Sequence, residues 1–252
     1  DSKMGLVKSD TFVCVDCETT GLDVENDKII EVAVVVFKGD EALASYETLV
    51  DPQRPIPPES TAIHNISDSM VLGKPKIKDV LPEVLKLIDK TIIIGHGIPF
   101  DITFLHNQAK QHRIPSQISS NPFIDTLRLA RLYGESPINS LEKLREHFNI
   151  EAEGAHRAMN DVLVNIEVFK YLTKSYKTTQ QILERLKKPI LLKQMPLGKH
   201  KGRPFSEIPV EYLQWAAGKD FDQDLSFSLR SELKKRKKGS LFKQSSNPFS
   251  DL

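Results

Sequence analysis

The segment TFVCVDCETTGL, residues 11–22, sets the strongest limit on how this chain can fold. Phe12, Val13, Cys14 and Val15 are strand formers, and side chains alternate along a strand, so Asp16 and Glu18 fall on one face. Carboxylates two residues apart on a strand stand roughly 7 Å from each other and repel. A cation between them relieves the repulsion. Hard oxygen donors at this spacing suit Mg²⁺ or Mn²⁺, ions that activate water for phosphoryl chemistry. The segment therefore points to a sheet protein that performs metal-dependent phosphodiester hydrolysis.

At 252 residues the chain can hold one large domain, or a medium domain with a small appendage. Its 39% hydrophobic and 27% charged residues are ordinary for a globular protein. No apolar run is long enough to cross a bilayer, and DSKMGLVKSD has no signal-peptide core, so no membrane role and a cytoplasmic setting are expected. The two cysteines, Cys14 and Cys17, cannot build a disulfide framework and fit a reducing compartment. As a C-x-x-C they lack a second pair of soft ligands for zinc. In an extended strand they also point to opposite faces, so they read as strand filler.

Charge is unevenly distributed. From Lys187 onward there are 14 Lys/Arg against 7 Asp/Glu, whereas acidic residues are in excess before it. An acidic catalytic part followed by a basic part suits a metal site joined to a phosphate-binding surface.

Along the chain, TFVCVDCE, KIIEVAVVVF and SYETLV read as three strands with short connections, hence an antiparallel meander. The proline-rich DPQRPIPPES leads to a helical turn around STAIHNI, and KIKDVLPEVLKLIDK has helical spacing. TIIIGH reads as a buried strand feeding a helix from about Phe100 to Arg113. PFIDT reads as a further strand, before the helical segments TLRLARLYG, NSLEKLREHFNI and MNDVLVNIEVFKYLTKSY. The expected class is α/β, a mixed sheet flanked by helices. The expected domains are residues 8–178, a small basic, mainly helical module at 192–238, and a disordered tail at 239–252.

Three further residues complete a constellation. Asp101 would sit at the positive start of the helix after the fourth strand. His156 and Asp161 lie in GAHRAMNDVLVNI. Residues five apart on one helix diverge by about 140°, so both can face one site only if His156 lies in a loop and the helix starts near Ala158. A histidine there is placed to take a proton from water.

D-x-E-T-T-G, then F-D after an apolar strand, then H-x-x-x-x-D resembles the DEDDh class of DnaQ-like 3′→5′ exonucleases over roughly residues 10–175. The resemblance implies a ribonuclease H-like fold with a five-stranded mixed sheet and two divalent cations, Mg²⁺ with Mn²⁺ able to substitute. Asp16, Glu18, Asp101 and Asp161 would hold them, and His156 would be the general base. Nucleoside 5′-monophosphates would be released from a single-stranded or frayed 3′ end.

Substrate contacts are implied for Thr19, Thr20, Leu22, His64 and Phe100. Two departures stand out. His96-Gly97 replaces the His-Asn of many relatives, and Asn65 replaces a glycine after His64, where Asn tolerates a left-handed backbone.

LGKHKGRPFSEIPVEYLQWAAGKDFDQDLSFSLRSEL resembles a module that follows some exonuclease domains of the exodeoxyribonuclease X type. Lys199, Lys201 and Arg203 could hold phosphates there. Trp215, at helical spacing from Tyr212, reads as core. The tail module favours DNA as substrate over RNA. The alternatives are an exoribonuclease of the ribonuclease T or oligoribonuclease type and a non-catalytic nucleic-acid-binding subunit. A replicative polymerase subunit is a candidate partner.

Overall fold

The computed structural model describes residues 4–136, 138–152 and 157–245. Leu186 closes a first compact unit and Lys187 opens a second.

In the first unit, β1 (Thr11–Thr19), β2 (Ile29–Lys38) and β3 (Glu41–Leu49) form the expected antiparallel meander. The short strands β4 (Ile92–Gly95) and β5 (Phe123–Asp125) then add in parallel on the other side of β1. The order β3-β2-β1-β4-β5 makes β1 the central strand of a five-stranded mixed sheet. The helices are α1 (Pro58–His64), α2 (Asp68–Val71), α3 (Ile77–Ile88), α4 (Ile98–Gln111), α5 (Thr126–Tyr133), α6 (Leu141–His147), α7 (Ala158–Leu172) and α8 (Thr179–Leu186).

Strand alternation sorts the two faces of β1. Val13, Val15 and Cys17 pack with Val80, Leu81, Val84, Phe104 and Leu105 of α3 and α4. Phe12 faces the other way, its ring 5.2 Å from that of Phe169 on α7, and Phe37 of β2 completes the cluster at 5.7 Å from Phe12. Cys14 follows Phe12, its sulfur 3.8 Å from the Val162 carbonyl and 3.7 Å from the Asn165 side chain of α7. Asp16 and Glu18 continue this parity and so share the α7 face. Both cysteines are buried free thiols, as strand filler requires.

Two turns near the acidic strand end depend on single residues. The helix expected near Phe100 starts two residues earlier, at Ile98. Gly97 makes the turn at φ +64°, and Pro99 in the first helical turn has no N–H to leave unsatisfied. Asn65 ends α1 in the left-handed conformation at φ +60°, the geometry its replacement of glycine demanded.

In the second unit, α9 (Val210–Ala217) and α10 (Gln223–Ser245) enclose a small core of Met195, Phe205, Ile208, Leu213, Ala216, Leu225 and Leu229. The Arg236 guanidinium caps the carbonyls of Phe205 and Ile208 at 2.9 and 2.6 Å. Two expectations are corrected. Residues 239–245 are the end of α10, because the tail carries helix-compatible Leu, Lys and Gln beyond Gly239; residues 246–252 lie outside the described residues. Trp215 is not core. It is 54% exposed, because α9 buries Leu213 and Ala216 instead.

Phe169 is 2% exposed at the centre of the α7–sheet contact. Phe169→Ala should lower unfolding stability by about 3–5 kcal/mol. Urea denaturation showing less than about 1 kcal/mol would contradict the packing described.

Candidate active site

β1 outruns its parallel neighbour. Pairing with β4 covers only Phe12 to Cys14, and the chain leaves β4 after Gly95 to start α4. Beyond that point the β1 backbone has no strand partner on this side among the described residues, and the Asp101 carboxylate accepts the Cys17 N–H at 2.9 Å. A register irregularity against β2 between Glu18 and Thr19 marks the other edge, where bulges commonly re-aim side chains. From the facing helix α7, Asp161 joins the pair: Asp16, Glu18 and Asp161 each offer an oxygen within 4.8 Å of the others. Asp101, tied to the peptide between Asp16 and Glu18, stands beside this triangle and not in it. The four acids read from sequence thus come together. His156 lies outside the described residues.

The electrostatics follow from burial plus like charge. Desolvation pushes the Asp16 carboxyl well above its usual range, and Asp101, Glu18 and Asp161 push it further. Glu18 rises to about 7, first through burial and then through Asp161 and Glu31. Asp101 rises to about 8 by burial, against the lowering effect of the Cys17 N–H. Asp16 Oδ2 is buried with no hydrogen-bond partner among the described residues. A buried orphan carboxylate oxygen among all-oxygen donors fits a hard divalent cation, and this donor set can hold one. Burial also raises both cysteine thiols, so they stay protonated and offer no soft ligand.

Around the acids, the ETTG turn is pinned. Thr20 Oγ1 donates to Asp27 at 2.9 Å and accepts from the Lys28 N–H at 2.9 Å, while Ser60 Oγ donates to the Thr20 carbonyl at 2.6 Å. A Cβ at Gly21 would collide with the Asp27 carboxylate. The Thr19 hydroxyl donates to the Gly21 carbonyl at 2.6 Å. This braced turn holds Leu22 out at 85% exposure.

His64 is buried. Its Nδ1 accepts the Ile66 N–H at 3.1 Å, so Nε2 carries the ring hydrogen. Burial lowers its pKa against the opposing pull of the Thr19 carbonyl and Glu31. Phe100 is half-buried, its ring 4.8 Å from that of Phe104. His96 is half-buried, its pKa held down to about 4 by desolvation, and it ties Thr126 Oγ1 (2.9 Å) to the Asn139 carbonyl (2.7 Å). In the second unit, Lys199, Lys201 and Arg203 are exposed on one turn.

The profile of a family described as "Exonuclease" matches residues 13–169, a span that contains all four acids. The chain belongs to the exonuclease family. It is a DnaQ-like 3′→5′ exonuclease, similar to DNA polymerase III subunit epsilon of Aquifex aeolicus, 36% identical over 160 residues that cover 63% of this chain and 78% of that one. DNA polymerase III PolC-type of Clostridium perfringens is 34% identical over 174 residues, 69% of this chain but only 12% of that protein's length. Exonuclease X, solved in complex with 5′ overhanging duplex DNA, superposes with a TM-score of 0.54 at 25% identity, covering 69% of this chain and 98% of that one. A second profile, described as "Putative quorum-sensing-regulated virulence factor", matches residues 180–230.

The sequence reading passed over one residue of this exonuclease that holds the site together. Glu31, opposite Glu18 in the β1–β2 register, is buried at 4% exposure. Its Oε2 takes Arg157 Nε at 2.8 Å and Nη2 at 2.7 Å, and its Oε1 accepts the Ala158 N–H at 2.8 Å. Glu31 thereby fixes the first residue of α7 three positions before Asp161. A glutamate inside the otherwise apolar run KIIEVAVVVF was the available signal.

Two outcomes are expected. Glu31→Ala should lower metal affinity or kcat about 10- to 100-fold with little effect on KM, and Glu31→Gln, which keeps an acceptor for Ala158, should recover part of it. Equal kinetics for Glu31→Ala and wild type would refute the positioning role. The second concerns pH. Glu18 and Asp101 have folded pKa values raised above their unfolded ones, so the native chain binds more protons than the unfolded chain between about pH 4 and 8. Stability of the metal-free protein should therefore fall as pH rises through this window and level off above it, and Mg²⁺ should restore it most at the alkaline end. Thermal melts with and without chelator check the sign; a metal-free melting temperature that climbs from pH 5 to 8 would contradict it.

Proposed function

We propose that the chain removes nucleotides from the 3′ ends of DNA by metal-dependent hydrolysis, releasing nucleoside 5′-monophosphates. The observation that carries this reading is the convergence of Asp16, Glu18 and Asp161 within 4.8 Å, with the buried Asp101 alongside. Asp16, Glu18, Asp161 and Asp101 would hold two divalent cations, Mg²⁺ or Mn²⁺. Bound there, such cations supply Lewis-acid polarisation of the phosphate and lower the pKa of the attacking water.

The chain's own groups do the rest. The four carboxylates orient the pocket, because each comes from a rigid element: β1, α4 or α7. His156, on the sequence pattern, accepts the proton of the attacking water. The pinned ETTG turn supports substrate placement. Leu22 is free to wedge against the terminal base and Thr19 lies at the strand end beside Glu18, a kind of contact that reads ends and not sequence. DNA is favoured over RNA by the polymerase III relatives and by exonuclease X, whose structure contains a DNA duplex. Association with a replicative polymerase belongs to the same reading.

Digestion of 3′- and 5′-labelled DNA and RNA oligonucleotides across a Mg²⁺ and Mn²⁺ titration reads polarity, sugar preference and metal together. DNA shortened from its 3′ end only when metal is present is expected; faster loss of the matched RNA would reassign the substrate. Asp16→Asn should reduce the rate at least about a thousandfold, matching the loss of several kcal/mol of transition-state stabilisation. Its thermal stability should be unchanged or higher, since one repelling charge is gone. Undiminished hydrolysis by that variant, purified free of contaminating nuclease, would overturn the assignment.

A further inference from the structure

The second unit carries a surface that its own fold does not use. Gly202 N–H to the Met195 carbonyl (2.8 Å), Met195 N–H to the Arg203 carbonyl (2.9 Å) and Lys201 N–H to the Gly198 carbonyl (3.1 Å) close a tight turn over residues 195–203. Gly198 and Gly202 sit at φ +77° and +86°, and a Cβ on Gly198 would lie 2.7 Å from the Tyr212 hydroxyl. The turn is thus seated against Tyr212 of α9, with Lys199, Lys201 and Arg203 exposed on it.

Tyr212 contacts two further rings. The His200 ring meets it edge-on at 4.5 Å and the Trp215 ring lies 5.4 Å from it, tilted by 47°. The Lys199 ammonium stands 5.3 Å over the Tyr212 ring and that of Lys219 5.0 Å over the Trp215 ring. On α9, Leu213 and Ala216 take the core positions, which leaves Tyr212 half-buried as an anchor and Trp215 54% exposed.

We infer that this face binds single-stranded nucleic acid, stacking a base on the Trp215 indole while Lys199, Lys201, Arg203 and Lys219 hold the neighbouring phosphates. Charge argues for a polyanion: residues 193–206 contain four Lys/Arg and no Asp or Glu. A protein occupant covering Trp215 would have to desolvate these flanking ammonium groups, which interface cores avoid. The indole argues for a single strand, because base faces in a duplex are already stacked on one another. The inference deepens the proposed function, on which it rests, by giving the basic unit a grip on the strand being shortened.

Trp215 is the single tryptophan of the chain, so its emission reports this face directly. The full-length protein, with metal chelated to prevent cleavage, is titrated with an oligothymidylate of about 16 nucleotides and with a blunt duplex of the same length. Emission should be quenched by the single strand and far less by the duplex. By fluorescence anisotropy with a labelled strand, Trp215→Ala should weaken binding about tenfold and Trp215→Phe less than about threefold. Replacing Lys199, Lys201 and Arg203 together by Ala should flatten the salt dependence of binding.

Hydrolysis of the p-nitrophenyl ester of thymidine 5′-monophosphate, which has no second nucleotide, separately reports the carboxylate site and should be unaffected by the Trp215 variants. Unchanged emission on adding oligonucleotide, with wild-type affinity in Trp215→Ala, overturns the inference and leaves the nuclease reading intact. Emission that responds to a polymerase subunit and not to DNA overturns it in favour of a protein-docking face. Failure of the wild type to hydrolyse the ester with Mg²⁺ or Mn²⁺ counts against the nuclease reading, while single-strand quenching of the wild type together with weaker anisotropy binding by Trp215→Ala still upholds the stacking face.

Discussion

The structure is organised around an electrostatic conflict: three half-buried carboxylates and the buried Asp101, held so close that they cannot all ionise without a counter-charge. Each like-charge pair at a few ångströms in a partly desolvated site is strongly unfavourable. The fold resists separating them because every member belongs to a rigid element packed on the sheet. Asp16 and Glu18 are fixed by the parity of the central strand, Asp101 by its bond to the Cys17 N–H, and Asp161 by α7, whose first residue is tied to Glu31. The conflict is relieved by protons at low pH and by cations at neutral pH. Local rules of stability are broken in the pocket and upheld around it, as functional sites generally do.

Glu31 shows how narrowly the conflict is managed. It adds another buried carboxylate within range of Asp16 and Glu18 and raises both. Its own charge is matched by Arg157 and by the Ala158 N–H at the start of α7, where the helix dipole is positive. The same side chain thus braces the helix that delivers Asp161 and sharpens the demand for a cation in the pocket.

Much of this was legible in the sequence because it follows from short-range periodicity. The shared face of Asp16 and Glu18, the meander, the start of α7 at Ala158 and the left-handed turn at Asn65 each depend on a few neighbouring residues. What escaped depends on distant pairings. The role of Asp101 on the Cys17 N–H arises because β4 is shorter than β1, which strand length in the sequence does not show. Glu31 is invisible as a brace until the register sets it beside α7. Trp215 was read as core from its spacing to Tyr212, yet α9 has two apolar stripes and only packing chooses the one carrying Leu213 and Ala216. Of the constellation read from sequence, His156 lies outside the described residues, and its part rests on the motif.

Proton release on metal binding tests the central claim most directly. Titration calorimetry of the full chain with Mg²⁺ or Mn²⁺ near pH 7, repeated in buffers of different ionisation enthalpy, counts the protons expelled. If protonated carboxyls with raised pKa values form the cation site, binding should expel protons at pH 7 and progressively fewer above pH 9. Metal binding with no proton release at pH 7, or no binding at any pH, would contradict the account.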